Sequence, residues 1–206
     1  MTSVPLFIDL SGKKIVVVGG GNVAQRRIRS LIDTGCSIVV VSPDVTPKIS
    51  NYHNKGLIIW EKKEFSSSDL EHAFMVIVAT NSSTVNHHVI SSTPSHVLVN
   101  AVEDVSWGDV QFPIHLQRGK LSVAITTNGA SPTLAKQIKQ NLEVEFDDSY
   151  EDYLDFLFEA RQLIKQTTMN SEQKRSLLKS IVVTEHYKDR EQQKELLDRI
   201  RNQTQN

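Results

Sequence analysis

The sequence predicts an α/β protein, with a parallel sheet in its first part and helices at its end. Three observations carry that expectation. Short runs of valine and isoleucine recur along the first half of the chain. A glycine triplet follows the first of these runs. Beyond Ser131 the β-branched runs give way to charged, amide-rich segments with apolar residues at helical spacing.

Residues 14–18, 37–41, 74–79 and 96–99 are near-continuous apolar runs, as expected of strands buried on both faces of a parallel sheet. Residues 24–34 and 84–92 between them have helical character, and the alternation is that of βαβ units. Residues 121–126 read as one more strand. Ser131 before Pro132 places a capping hydroxyl ahead of a residue suited to the first helical position, and 133–144 continue that helix. From Asp147 onward Gln, Glu, Lys and Arg dominate. Leu154, Leu157, Phe158, Leu163 and Ile164, then Leu177, Leu178, Leu196, Leu197 and Ile200, keep a helical spacing. About two to four helices are expected there, with a frayed tail after Ile200.

The sharpest signal is the turn after the first strand. Gly19, Gly21 and Ala24 fill the G-x-G-x-x-G/A pattern between a buried strand and a helix. Each position answers a distinct need: a tight turn at Gly19, close approach of a pyrophosphate at Gly21, and close helix–strand packing at Ala24. The N–H groups that open the helix, at Asn22 and Val23, would then face the phosphates. This is the pattern of a Rossmann-type dinucleotide site. After the second strand stand Ser42, Pro43 and Asp44. An acid about 20 residues beyond the glycines binds the ribose 2′-hydroxyl of NAD. Asp44 stands a little late for that role and could equally cap or solvate a loop; no arginine follows the strand, and the nearest base is Lys48, which favours NAD over NADP. Thr80 and Asn81 end the third apolar run, and ligands of open α/β sheets bind at such carboxyl ends. Asn81 or Ser82 could equally cap the next helix.

Composition narrows the remaining classes. The formal charge of −1 over 206 residues recruits neither nucleic acid nor an anionic membrane across the whole surface. The single Cys36 permits no internal disulfide, and its place before an apolar run fits a buried, inert thiol. The N-terminus lacks a basic segment followed by an apolar stretch, so no secretory signal is expected. No run reaches the roughly 20 apolar residues of a membrane helix. A cytoplasmic location is expected.

Taken together, the motifs resemble those of the precorrin-2 dehydrogenases of sirohaem synthesis, which also form the N-terminal module of multifunctional sirohaem synthases. The resemblance rests on the glycine turn to Ala24, the Val41-Ser42-Pro43 and Ala79-Thr80-Asn81 strand ends, Val85-Asn86, and the segment from Val99 to Asp104. It continues through Phe112-Pro113, Arg118-Gly119 and the segment from Thr127 to Ala135. It covers residues 4–142; the remainder is similar in texture only.

The resemblance implies NAD-dependent oxidation of precorrin-2 to sirohydrochlorin by a homodimer. Some members of the family also insert ferrous iron. It implies a division into an NAD-binding domain (1–112), a dimerisation and substrate segment (113–146) and a C-terminal helical domain (147–206). Precorrin-2 carries several carboxylates, so its site needs anion donors. The Asn128, Gly129 and Ser131 turn at a helix start offers N–H groups, with Lys136 in the next turn and Arg118 beside Gly119. The catalytic base is expected from Glu103 and Asp104. The family pattern Asn-x-x-Asp places Glu103 at the acidic position, a departure, with Asp104 its neighbour. On a strand only one of two successive residues reaches a given face, and Asp104 is placed ahead of Glu103.

Other classes fit less well. His87 and His88 have no Cys or carboxylate at ligand spacing, so no metal site is expected. Tyr52, Tyr150, Tyr153 and Tyr187 all lack a lysine four positions on, as short-chain dehydrogenases require. An NAD(H)-sensing regulatory module would explain the glycine turn and the helical tail. It leaves the Asn128–Ala135 and Asn100–Asp104 segments unexplained, and it would bind NADH without turnover.

Overall fold

The computed structural model describes residues 4–182 and 189–204, which fall into two compact units divided between Phe112 and Pro113. Tyr187 lies outside the described residues.

In the first unit the apolar runs form strands because β-branched residues on both faces pack between helical layers. In chain order these are β1 (Lys14–Val18), α1 (Asn22–Leu31), β2 (Ser37–Val41), α2 (Pro47–Asn54), β3 (Ile59–Glu61), β4 (Met75–Val78), α3 (Ser83–Ser91) and β5 (Leu98–Ala101). They build a five-stranded sheet in the order β3-β2-β1-β4-β5, with every pairing parallel. Side chains alternate between faces along each strand. Val16, Val18, Val39, Val41, Val76 and Val78 build one core, with Val89 of α3. Ile15, Val17, Ile38, Val40, Met75 and Ile77 build the other, on which α1 lays Ala24, Ile28 and Leu31. The connection to β4 returns to the far side of β1, so the switch point of the sheet lies between β1 and β4.

Three features of this unit differ from expectation. The three-residue strand β3 is too short and too exposed to carry a periodic signal; it was not anticipated. The 96–99 run enters the sheet two residues late, because Val97 N–H closes a turn on the Pro94 carbonyl at 2.9 Å and His96 is exposed. Cys36 is only half-buried, its Sγ 3.6 Å from the Leu31 carbonyl.

The second unit opens with β6 (Ile114–Arg118) and β7 (Leu121–Ile125), followed by α4 (Pro132–Glu145), α5 (Ser149–Gln166), α6 (Ser171–Ser180) and α7 (Arg190–Thr204). The strand expected at 121–126 does not extend the parallel sheet. It pairs antiparallel with β6, Arg118 opposite Leu121, across the two residues Gly119 and Lys120. A two-residue connection can join only antiparallel strands, and Gly119 supplies the positive φ of +48°. Ser131 caps α4, its hydroxyl accepting from Leu134 N–H at 3.1 Å. Tyr153, Phe156, Ala160 and Ile164 of α5 pack with Ile181 and with Leu197 and Ile200 of α7. The tail expected to fray after Ile200 is instead helical to Thr204, because Ile200 is buried in this core and Arg201 pairs with Glu159 and Asp198. Among the described residues no helix is long and apolar enough to cross a membrane.

Candidate active site

The glycine turn sits at the switch point, and its three residues have different steric neighbours. Gly19 has φ +119°, and a Cβ there would lie 2.4 Å from the Ala79 carbonyl oxygen. At Gly20 an added Cβ would lie 2.0 Å from the Asp44 carbonyl oxygen and 2.8 Å from Val45 Cγ1. At Gly21 it would meet nothing within 4 Å. The first two glycines are therefore demanded by the protein's own packing. The third leaves open space at the start of α1. No side chain caps that helix, so the N–H groups of Asn22, Val23 and Ala24 have no side-chain acceptor. Open space beside unpaired helix N–H groups fits a dinucleotide diphosphate.

The strand-end loops around the turn are held by local bonds. Thr46 N–H donates to the Gly20 carbonyl at 2.9 Å, and its hydroxyl donates to Gln25 Oε1 at 2.8 Å. Ser42 is buried, and its hydroxyl donates to the Asp44 carbonyl at 2.7 Å. Pro43 and Asp44 are exposed beyond it. On the β4 side, Thr80 Oγ1 donates to Asn86 Oδ1 at 2.7 Å. Ser82 rather than Asn81 caps α3, accepting from Val85 N–H. Asn81 is exposed.

Glu103 and Asp104 follow β5 rather than lying in it, so strand alternation does not decide between them. Their hydrogen bonds separate them instead. Glu103 uses both oxygens: Oε1 accepts from Ser83 Oγ, and Oε2 accepts from Asn86 Nδ2 at 2.7 Å. Asp104 caps the short 3-10 turn Val105–Trp107, and its Oδ1 alone accepts from Ser106 N–H at 2.8 Å and Ser106 Oγ at 2.7 Å. Its Oδ2 accepts no hydrogen bond from the described residues. The Ser83 and Asn86 bonds hold the Glu103 carboxyl below its ordinary value. The Ser106 bonds do the same for Asp104.

In the second unit, Asn128 and Gly129 adopt positive φ, +49° and +84°, in the turn before α4. Much of this turn's N–H supply is used internally. Asn128 N–H donates to Thr126 Oγ1, Ala130 N–H to the Thr127 carbonyl, and Ser131 N–H to Thr127 Oγ1. The N–H groups of Gly129 and Thr133 keep no partner among the described residues, and the Ser131 hydroxyl retains its own proton. Lys136 is exposed on the next turn. Arg118 lies elsewhere. It ends β6, opposite Leu121, whereas the turn follows the other end of β7. Its Nε donates to the Phe146 carbonyl at 3.1 Å and lies 3.3 Å from Asp148 Oδ1. Arg118 therefore stands apart from the Asn128–Ser131 turn, and its guanidinium ties the end of α4 to the start of α5.

An NAD(P)-binding family profile matches residues 6–114, a profile for the central part of sirohaem biosynthesis proteins matches 118–145, and the SirC C-terminal domain profile matches 150–196. The chain is 37% identical to the precorrin-2 dehydrogenase of Priestia megaterium, over 95% of this chain and 96% of that one. It belongs to the precorrin-2 dehydrogenase family. The precorrin-2 dehydrogenase of Bacillus subtilis (strain 168) is 36% identical over 77% of this chain and 98% of its own. A solved structure of SirC, precorrin-2 dehydrogenase, superposes with a TM-score of 0.85 at 36% identity, covering 97% of this chain and all of that one. The sirohaem synthase of Xylella fastidiosa (strain M12) is 33% identical, but this chain spans only 36% of its length.

Within this precorrin-2 dehydrogenase fold, sequence reasoning overlooked Gly20, Ser83 and the bonding of Asn86. Gly20 sits in a glycine run where the motif assigns it no role; only the approach of the Asp44 carbonyl reveals its need. Asn86 left a readable signal, being a polar residue three positions before Val89 on the buried face of α3. Among the described residues, no group of three or more His, Cys, Asp or Glu side chains stands where it could hold a metal ion. His87 packs against Trp107 and His88 against Phe65.

Proposed function

We infer that this chain oxidises precorrin-2 to sirohydrochlorin with NAD⁺, a step of sirohaem biosynthesis. The observation that carries the inference is the open face of Gly21 beside the uncapped start of α1, in a chain of this family. Bound NAD⁺ would supply the hydride acceptor. The protein's residues do the rest. The N–H groups of Asn22 and Val23 hold the diphosphate. Asp44, exposed beyond β2, takes the ribose 2′-hydroxyl; a 2′-phosphate would meet its like charge, so NAD is preferred to NADP. Thr80 and Asn81 border the crevice from the β4 side. Asp104 accepts the proton that the macrocycle loses, through the Oδ2 that its capping role leaves unengaged. Glu103, bound through both oxygens, orders the loop.

The carboxylates of precorrin-2 are met in the second unit by Ser131, by the Asn128-Gly129 turn and by Lys136. The 113–146 segment serves as the dimerisation element of a homodimer. Support comes from α4, where Leu134 is 52% and Val144 81% exposed. A partner chain would cover that apolar surface.

Freshly prepared precorrin-2 with NAD⁺ tests the reading, with the tetrapyrrole spectrum and NADH followed together. Oxidation coupled to NADH formation is expected. A protein that binds NADH yet leaves precorrin-2 unchanged would instead be an NAD(H) sensor. Ferrous or cobaltous ion added to the product extends the same assay to metal insertion.

A further inference from the structure

Asn86 lies on the buried face of α3 with Val89, 2% exposed. A buried amide is costly unless its donors and acceptor are paired. This one is paired across two loops. Its Oδ1 accepts from Thr80 Oγ1 at 2.7 Å, and its Nδ2 donates to the Thr80 carbonyl at 3.3 Å and to Glu103 Oε2 at 2.7 Å. Thr80 leaves the carboxyl end of β4, and Glu103 follows β5. Ser83, the first residue of α3, fixes the other Glu103 oxygen. One amide thus ties the cofactor-side loop to the loop that carries both candidate carboxylates.

We propose that Asn86 is a positioning residue for the dehydrogenase reaction, locking the Thr80 loop to the Glu103–Asp104 loop so that the cofactor crevice and the base keep one spacing. The proposal rests on the NAD⁺ site inferred above. Asn86 acts through Thr80 and Glu103. The titratable groups facing this network are Glu103 itself, its neighbour Asp104 and His87 of α3.

The substitution Asn86→Asp keeps the shape and removes the donor. The new carboxylate faces Glu103 Oε2 across the 2.7 Å that Nδ2 now bridges. Two carboxylates so close cannot both stay ionised without strain, and a shared proton rebuilds the bridge. NADH affinity, read by fluorescence titration, is expected to fall about tenfold at about pH 9 and to return toward the wild-type value at about pH 6. The wild-type affinity is expected to stay flat over that range. Asn86→Leu, which has no proton to share, is expected to bind weakly at both pH values. Thermal unfolding of each variant establishes that it is folded. A folded Asn86→Asp protein that binds NADH with wild-type affinity at both pH values overturns the proposal. The binding readout does not depend on turnover. If the wild type fails to oxidise precorrin-2 but Asn86→Asp shows the pH-dependent affinity, the proposed function falls and the coupling between the loops stands.

Discussion

Adjacent glycines in the turn should fail in opposite ways when substituted. In Gly20→Ala the new methyl would sit 2.0 Å from the Asp44 carbonyl oxygen and 2.9 Å from Val45 Cα, both backbone atoms that no rotamer change can move. The β2–α2 loop must shift, breaking the Thr46 N–H bond to the Gly20 carbonyl. Overpacking of this kind costs about 1–3 kcal/mol, which lowers the melting temperature by at least about 4 °C in a domain of this size. In Gly21→Ala the methyl meets nothing within 4 Å, and φ of −83° suits any residue. Stability should stay within about 0.5 kcal/mol, as for substitutions that disturb no packing. The loss appears only with ligand. Gly21→Asp goes further, because its carboxylate confronts the diphosphate. Like charges in contact cost several kcal/mol, and at 1.4 kcal/mol per decade NAD⁺ should bind at least about 100-fold more weakly. Differential scanning fluorimetry without cofactor and calorimetric titration with it separate the two effects. A Gly21→Asp protein that binds NAD⁺ normally, or a Gly20→Ala protein of unchanged stability, would refute the assignment of the turn.

Asp104→Asn and Glu103→Gln, each checked for fold and NAD⁺ binding, should differ: precorrin-2 oxidation is lost in the first and survives, weakened, in the second, and near-normal turnover in both would remove the carboxylates from the mechanism. Ser83→Ala should raise the Glu103 carboxyl toward its ordinary value near 4.5, measured by NMR titration of the side chain. A carboxyl held low in the folded state contributes stability that is complete above the unfolded value and is lost as pH falls through the folded one, so Ser83→Ala should lose stability at neutral pH and little in strong acid. Arg118→Ala should destabilise the second unit by about 1–2 kcal/mol through its lost bonds to Phe146 and Asp148, with NAD⁺ affinity unchanged; unaltered melting would refute its part in joining α4 to α5. Light scattering at micromolar concentration should report twice the chain mass, and a monomer would contradict the homodimer.

Local chemistry alone determined much of this protein. The valine-rich runs specify strands covered on both faces, because they are short, β-branched and apolar at successive positions. Gly19, Gly21 and Ala24 specify the tight turn between β1 and α1, and Ser131-Pro132 specifies the start of α4; each signal is complete within a few consecutive residues. Tertiary structure decided what depends on residues distant in sequence. That 121–126 belongs to a separate hairpin follows from its pairing with 114–118, which the apolar pattern of one strand cannot choose. That Gly20 must be glycine follows from the approach of Asp44, 24 positions away. Arg118 meets the Phe146 carbonyl and Asp148, 28 and 30 positions away, and both Glu103 oxygens are engaged by Ser83 and Asn86. A side chain's type is written in the sequence, but whether it is free to act depends on which partners the fold brings within hydrogen-bond reach.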